Sequence, residues 1–236
     1  MTQSRYLHYL KIMLTSPRKT SKRIINILSN AEAFSVLSDT FLRQEYWWLK
    51  GQLVANSVII DIGANIGDTT IYFAQFDRAK KVIGYEPMPY LYAKAKKNIS
   101  LVPFKSKISI KNMAISSPGS KFIRYNAGSH VSSWKDTNQA HGNEGTVVKS
   151  DSLNNQINGL KNVFIKCDCE GGEYTIFTKD ADLREVRAIQ IEYHNGYSTI
   201  QKILIKKGFK VSHKETLKSG VGYIYASRPK RDDNIG

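Results

Sequence analysis

The sequence predicts an α/β fold of the Rossmann-like, doubly wound kind: a mostly parallel sheet with helices packed on it. Three observations carry that expectation. β-Branched apolar runs alternate with helical segments from Val58 to Gly208, the pattern of successive parallel strands and crossover helices. The first run, Val58-Ile59-Ile60-Asp61-Ile62, breaks into Gly63-Ala64-Asn65-Ile66-Gly67, a tight turn at the carboxyl end of a buried strand, where such sheets hold nucleotide-like ligands. The last two runs follow each other without a helix between them, which predicts an antiparallel member at the end of the sheet.

The elements follow in order. Residues 1–50 lack strand signals; Ile24, Ile27, Leu28, Ala31 and Phe34 recur at helical spacing, continued by Leu37, Phe41 and Trp48, so this part reads as a helical extension. It either roofs a substrate pocket or covers a sheet edge. The aromatic cluster Tyr46-Trp47-Trp48 reads as packing. Residues 51–236 form the main domain. Strand one (Val58–Ile62) leads to a helix over Thr69–Phe76, and strand two (Lys81–Tyr85) to a helix over Pro89–Ser100. Strand three spans Lys107–Ile115, and a short strand Lys121–Asn126 follows the turn Ser116-Ser117-Pro118-Gly119. Ala127–Gly145 is rich in Gly, Ser, Asn and His and long for a plain connection, hence functional or mobile. Thr146–Lys149 is again strand-like, with Asp151 placed to cap a short helix. Strand four (Val163–Cys167), a helix around Tyr174–Phe177, strand five (Ala188–Tyr193) and a helix over Thr199–Lys207 closed by Gly208 come next. Phe209–Lys214 and Gly222–Ser227 complete the sheet.

The turn itself names a ligand class. It reads Gly-x-Asn-x-Gly, with Asn65 where a dinucleotide site keeps a glycine against the pyrophosphate. Asn tolerates the left-handed backbone, so the turn survives. Asp61 and Asp68 place two negative charges beside it, which suits a cation better than a pyrophosphate. Glu86 stands nineteen positions after Gly67, at the end of strand two, where an acid accepts hydrogen bonds from ribose hydroxyls. S-adenosylmethionine fits this combination, having a ribose, a sulfonium and an amino group but no phosphate. The plain alternative is an ordinary strand–turn–helix junction with an acid downstream.

A second constellation lies at the ends of strands four and five. Strand alternation puts Lys166, Asp168 and Glu170 on one side and Cys167 and Cys169 on the other. Strand five ends in Glu192-Tyr193-His194. In a doubly wound sheet, Asp168, Glu170, Glu192 and His194 then gather at the same edge as the glycine turn. Glu173 is placed to begin a helix, where the macrodipole favours an acid. Two acids and a histidine could also hold a divalent metal, but no metal-ligand spacing of known type is present, and no metal site is assigned.

Composition narrows the class. The 236 residues suffice for one α/β domain with a substantial core plus an extension. No apolar run reaches the roughly twenty residues of a membrane span, and Met1–Leu14 is too polar and broken for a secretory segment. The only cysteines, Cys167 and Cys169, alternate on one strand and are poorly placed for a disulfide, so a reducing, cytoplasmic setting is expected. The net charge is +15, from 35 basic and 20 acidic residues. Such an excess suits nucleic acid or an anionic membrane surface. The basic clusters Arg18–Arg23, Lys94–Lys97 and Arg228–Arg231 are scattered, however, and Lys94, Lys96 and Lys97 read equally well as the solvated face of a helix.

The blocks Val58–Gly67, Tyr85-Glu86-Pro87, Met113-Ala114-Ile115, Ile165–Glu173 and Ile191-Glu192-Tyr193-His194, in that order, together resemble the FkbM family of S-adenosylmethionine-dependent methyltransferases. The resemblance covers roughly residues 55–225 and is most specific at Lys166-Cys167-Asp168-Cys169-Glu170-Gly171-Gly172-Glu173. Gly172 stands where that family commonly carries alanine. The resemblance implies the seven-stranded class I methyltransferase fold, methylation of a hydroxyl oxygen, and an acceptor that is a small molecule, a sugar or a glycan or lipid precursor. It implies that Asp61, Gly63, Ala64, Asn65, Gly67, Asp68 and Thr69 hold the methionine end of the cofactor. By the same likeness Glu86 and Pro87 hold the ribose, Met113 and Ala114 frame the adenine, and Asp168 borders the site. His194 or Asp168 is then the candidate proton acceptor, with Glu170 and Glu192 orienting the acceptor. Two other readings remain. A nucleic-acid methyltransferase suits the charge, but Asp168-Cys169-Glu170-Gly171 replaces the polar–proline–proline–aromatic stack that receives a flipped base. A binding module that transfers nothing is opposed by the intact Asp61, Gly63, Gly67 and Glu86 set.

Overall fold

The computed structural model describes residues 40, 45–125, 135–137, 146–216 and 220–229. Within them, helix α1 (Trp47–Gln52) precedes β1 (Ser57–Ile62), α2 (Asp68–Ala74), β2 (Ala79–Tyr85) and α3 (Pro89–Ser100). A 3₁₀ turn, Lys105–Lys107, leads to β3 (Ile108–Lys111), β4 (Ala114–Ser116), β5 (Phe122–Tyr125) and β6 (Lys135–Thr137). The chain continues through β7 (Thr146–Ser152), α4 (Leu153–Ile157), β8 (Val163–Cys167), α5 (Glu173–Ile176) and β9 (Val186–Tyr193). Helix α6 (Ser198–Lys206) and strands β10 (Lys210–Glu215) and β11 (Gly222–Ser227) finish it. The helical pattern expected over Ile24–Phe41 lies outside the described residues, as does most of Ala127–Gly145.

Seven strands form the main sheet in the order β10-β11-β9-β8-β1-β2-β3. The central members run parallel, and β11 is antiparallel to both β9 and β10. This is the mostly parallel sheet with an antiparallel last strand that the sequence predicts. β1 lies in the middle with all six residues buried, which is why its sequence reads as an unbroken apolar run rather than an alternating one. Alternation still decides the packing. Val58, Ile60 and Ile62 join Ile165, Cys167, Ile189 and Ile191 in one core. Ile59 faces the other side, with Phe164, Phe73, Val82 and the Tyr46 and Leu49 of the α1 region. Tyr46 packs on Phe73 and Trp48 on Tyr225, whereas Trp47 is exposed beneath the Lys50 ammonium.

Two expectations need correction. Strand three is not continuous over Lys107–Ile115. It breaks at Asn112-Met113, so that β3 ends the main sheet and β4 joins a second, four-stranded sheet ordered β4-β7-β5-β6. The cause is Asn112, whose side-chain amide donates to the carbonyls of Glu86 and Pro87 at 2.9 and 2.8 Å; the chain is tied to the end of β2 and cannot extend the strand. Asp151 is not the cap of α4. The N-cap is Ser152, which accepts from the Asn155 amide at 3.2 Å. Asp151 sits one residue earlier, at the end of β7, and accepts from the side chains of Asn155 and Gln156.

The glycine turn carries the strictest backbone requirement. Gly63, Asn65 and Gly67 all have positive φ, 75°, 48° and 85°, and Gly67 is the N-cap of α2. A Cβ on Gly63 would overlap the Asp168 carbonyl, because the end of β8 crosses directly against the turn and the Asp168 amide donates to the Ile62 carbonyl at 3.1 Å. Gly63→Ala is therefore expected to cost more than the about 1–2 kcal/mol of a left-handed alanine alone, read as a lowered chemical-denaturation midpoint.

Candidate functional site

Asp61 and Lys166 are cross-strand neighbours on β1 and β8, and both point to the α2 face of the sheet. They form an ion pair at 3.3 Å with side-chain exposures of 0% and 2%. The Asp61 Oδ2 atom also accepts from the hydroxyls of Thr69 and Thr70, at 2.7 and 2.5 Å. The Lys166 ammonium donates to the Gly63 carbonyl at 2.7 Å. Burial would lower the Lys166 pKa, but Asp61, Asp168 and Asp68 outweigh it and raise it above the ordinary value. The ammonium is thus charged, and it fixes the first carbonyl of the glycine turn. Strand alternation puts Lys166 on the side of Asp168, whose charge acts on it. Lys166 is buried there because Asp61 is its partner, an unpaired charge in that position being prohibitive.

The other sequence-selected residues of the first half take distinct places. Asp68, in the first turn of α2, is buried and accepts from the Thr40 hydroxyl at 2.5 Å; burial pushes its pKa to about 7, against the pull of Thr40 and Lys166. Ala64 and Thr69 are buried, while Gly63 and Asn65 are partly open. Glu86 accepts from the Asn65 amide at 2.8 Å through Oε2 and from the Met88 amide at 2.9 Å through Oε1. Burial raises its pKa to about 7 although both amides oppose the shift. A side chain from the end of β2 therefore shapes the turn after β1. Pro87 and Met113 are partly open and Ala114 is buried, and Asn112 holds the two segments together.

At the other half, β8 ends at Cys167 and the chain turns, with Glu170 and Gly171 at φ of 54° and 102°. The alternation expected through Glu170 therefore stops, although Cys167 and Cys169 still face each other as free thiols, their Sγ atoms 3.6 Å apart. The turn brings Asp168, Glu170 and His194 together, one ligand-type atom of each within 4.8 Å of the others. Glu192 stands outside this group but feels it: burial, then the charges of Asp168 and Glu45, raise its pKa to about 8. Asp168 is raised by burial too, against Lys166 and His194.

The His194 ring is 6% exposed, with Nδ1 3.0 Å from Glu173 Oε1 and Nε2 3.3 Å from Glu170 Oε2. Burial would lower its pKa; the hydrogen bond and charge of Glu173, then the charges of Glu170 and Asp168, overcome that and raise it to about 9. Glu173 does begin a helix, as its position predicts, but its function in the fold is larger. Its carboxylate is fully buried and accepts from the amides of Cys169 and Gly171. Sequence reasoning missed this, and the available signal was an acid directly after two glycines, at a bend whose backbone amides need acceptors. Gly172 also has a physical reason: a Cβ there would lie 3.1 Å from the Cys169 sulfur.

Residues 61–219 match the methyltransferase FkbM domain family. The chain belongs to that family, whose members use S-adenosylmethionine. No curated protein sequence matches the chain. Among solved structures, methyltransferase FkbM from Methylobacillus flagellatus KT is similar at 16% identity and TM-score 0.50, over 72% of this chain and 43% of that one. The chain thus spans less than half the length of that relative. TrmK of M. capricolum, solved with S-adenosyl-homocysteine, aligns at 11% identity and TM-score 0.48, over 80% and 70% of the two chains. Precorrin-6y C5,15-methyltransferase from Geobacter metallireducens GS-15 aligns at 13% identity and TM-score 0.45, over 77% and 86%. At 16% identity the likeness to the Methylobacillus flagellatus structure describes the fold alone. Among the described residues, no helix is long and apolar enough to cross a membrane.

Lys166 joins β8, β1 and the glycine turn, so Lys166→Met leaves Asp61 as a buried charge without its counter-ion. A loss of about 3–5 kcal/mol is expected in chemical denaturation, with partial recovery in the Lys166→Met/Asp61→Asn double variant.

Proposed function

We propose that this chain is an S-adenosylmethionine-dependent methyltransferase that methylates a hydroxyl oxygen of a small molecule, sugar or glycan or lipid precursor. One observation supports this most directly. The corner built from Asp168, Glu170 and His194 abuts the glycine turn, where the Asp168 carbonyl leaves no room for a Cβ on Gly63. In this reading Gly63, Asn65 and Gly67 receive the methionine end and Glu86 the ribose, with Pro87, Met113 and Ala114 toward the adenine. Asp61, Ala64, Asp68 and Thr69 support the turn from inside. Buried Asp61 is already engaged by Thr69, Thr70 and Lys166, so its part is to hold the turn rather than to touch the cofactor.

The reaction is an in-line displacement. A lone pair of the acceptor oxygen forms the new bond to the methyl carbon, the carbon–sulfur bond breaks, and its electrons remain on sulfur. The hydroxyl proton must leave. Alignment can supply about 7–11 kcal/mol, and a positioned base adds about 10²–10⁴-fold, so alignment is the larger share. Asp168 suits the base better than His194. A ring with a pKa of about 9 holds both protons at neutral pH and has no lone pair to offer. Asp168 is a partly open carboxylate with a raised pKa, which favours accepting a proton. The acidic corner also speaks against a phosphate backbone as the nearby substrate, so the basic excess belongs to other surfaces.

Asp168→Asn is expected to lower kcat by about 10²–10⁴-fold with cofactor affinity retained in calorimetry; an unchanged kcat would remove Asp168 from the reaction. Cofactor affinity carries a pH signature. Ribose hydroxyls donate, so they require Glu86 as a carboxylate, and its unliganded pKa is about 7. Binding is expected to tighten as pH rises from 6 to 8, and Glu86→Gln to be weaker and flatter across that range. Titration of S-adenosyl-homocysteine at several pH values decides it.

A further inference from the structure

We infer that Asp168, Glu170 and His194 bind one divalent first-row metal ion beside the glycine turn, and that this ion receives the acceptor's hydroxyl oxygen. The inference deepens the O-methyl reading and rests on it only for the last clause. The donor set is two carboxylates and one imidazole, the combination suited to ions such as Mn²⁺ or Zn²⁺ rather than to thiophilic metals. The three candidate ligand atoms lie within 4.8 Å of one another. Bonds of about 2.0–2.2 Å let ligands of one ion stand up to about 4.4 Å apart, so a closure of a few tenths of an ångström suffices. Glu170, whose side chain is 61% exposed, can supply that closure.

Two further features point to a cation. The first is the support behind His194. Its Nδ1 faces Glu173 Oε1 at 3.0 Å, and Glu173 is itself held by the Cys169 and Gly171 amides. This is the carboxylate–histidine arrangement that fixes a ligating imidazole: a proton kept on Nδ1 leaves Nε2 to the metal, which displaces the second ring proton as it binds. The second is a buried carboxylate oxygen without a hydrogen-bond partner, Glu173 Oε2, on the residue that supports the ligating ring. Among the described residues Lys166 is the buried ammonium near this corner, and it is committed to Asp61 and the Gly63 carbonyl.

With three protein ligands the ion keeps positions open for water or an acceptor. A hydroxyl bound there is more acidic than in water; its proton passes to the outer oxygen of Asp168, and the resulting alkoxide attacks the methyl carbon. The sequence offers the ligand types, but their spacing is unlike known metal motifs. The site arises where the left-handed Glu170 swings back onto the end of β9.

The test is Mn²⁺ binding to the full chain after chelator treatment, read by electron paramagnetic resonance without cofactor. One ion per chain is expected, with at least tenfold weaker binding in Glu170→Gln and in His194→Gln. Glu170 is exposed, so its variant should keep the wild-type circular dichroism even if the His194 variant does not fold. Absence of saturable Mn²⁺ binding, or binding unchanged by Glu170→Gln, overturns the inference. Competitive displacement of Mn²⁺ by S-adenosylmethionine also overturns it, since the cofactor's own charge would then be the occupant. Affinity for S-adenosyl-homocysteine, measured separately without metal, tests the cofactor reading independently of the ion.

Discussion

The ion pair between Lys166 and Asp61 is the constraint on which both halves of the site depend. It is buried on neighbouring central strands, and each partner makes bonds that reach the glycine turn or the helix after it: Asp61 through Thr69 and Thr70, Lys166 through the Gly63 carbonyl. Buried pairs of this kind gain little net stability over apolar packing. What this one contributes is position. The first carbonyl of the turn cannot shift without stretching a charge-assisted hydrogen bond from a buried ammonium. Because β8 carries Lys166 and then Asp168, the same bond sets the distance between the turn and the acidic corner.

A second constraint runs from the end of β2. Glu86 accepts from the Asn65 amide, and its own carbonyl accepts from Asn112. Three segments distant in sequence are therefore joined by short polar contacts that need no bound molecule to form. The left-handed backbone at Asn65 is held from outside by Glu86, which explains how an asparagine serves where a nucleotide turn more often has glycine.

Much of this was legible in the sequence. The bounds of α3, β8 and β11 follow from Pro89, from the run Val163–Cys167 and from the Gly222–Ser227 alternation, because local pattern and tertiary setting agree there. The break at Asn112-Met113 was not legible, since an asparagine in an apolar run gives no sign that its side chain will bind two distant carbonyls. The pairing of Lys166 with Asp61 was not legible for a related reason. Strand period tells which residues share a face, but not which face holds the countercharge. Glu173 was read as a helix start, and its burial against His194 depends on the Gly171 conformation, which composition alone does not specify. Asp151 shows the limit at helix ends: two adjacent side chains could cap, and the backbone chose Ser152.

Tyr125 and Thr146 are paired partners on β5 and β7, so the chain between them, which contributes β6 to the same sheet, starts and ends at adjacent points. Such a junction is indifferent to how much chain lies beyond it: doubling an inserted segment adds only about 0.6 kcal/mol of closure cost. The β5–β7 clamp also belongs to a different sheet from Asp61 and Lys166, which hold the glycine turn. Chain length on either side of β6 is therefore a cheap variable, while the glycine turn keeps supports of its own on the main sheet.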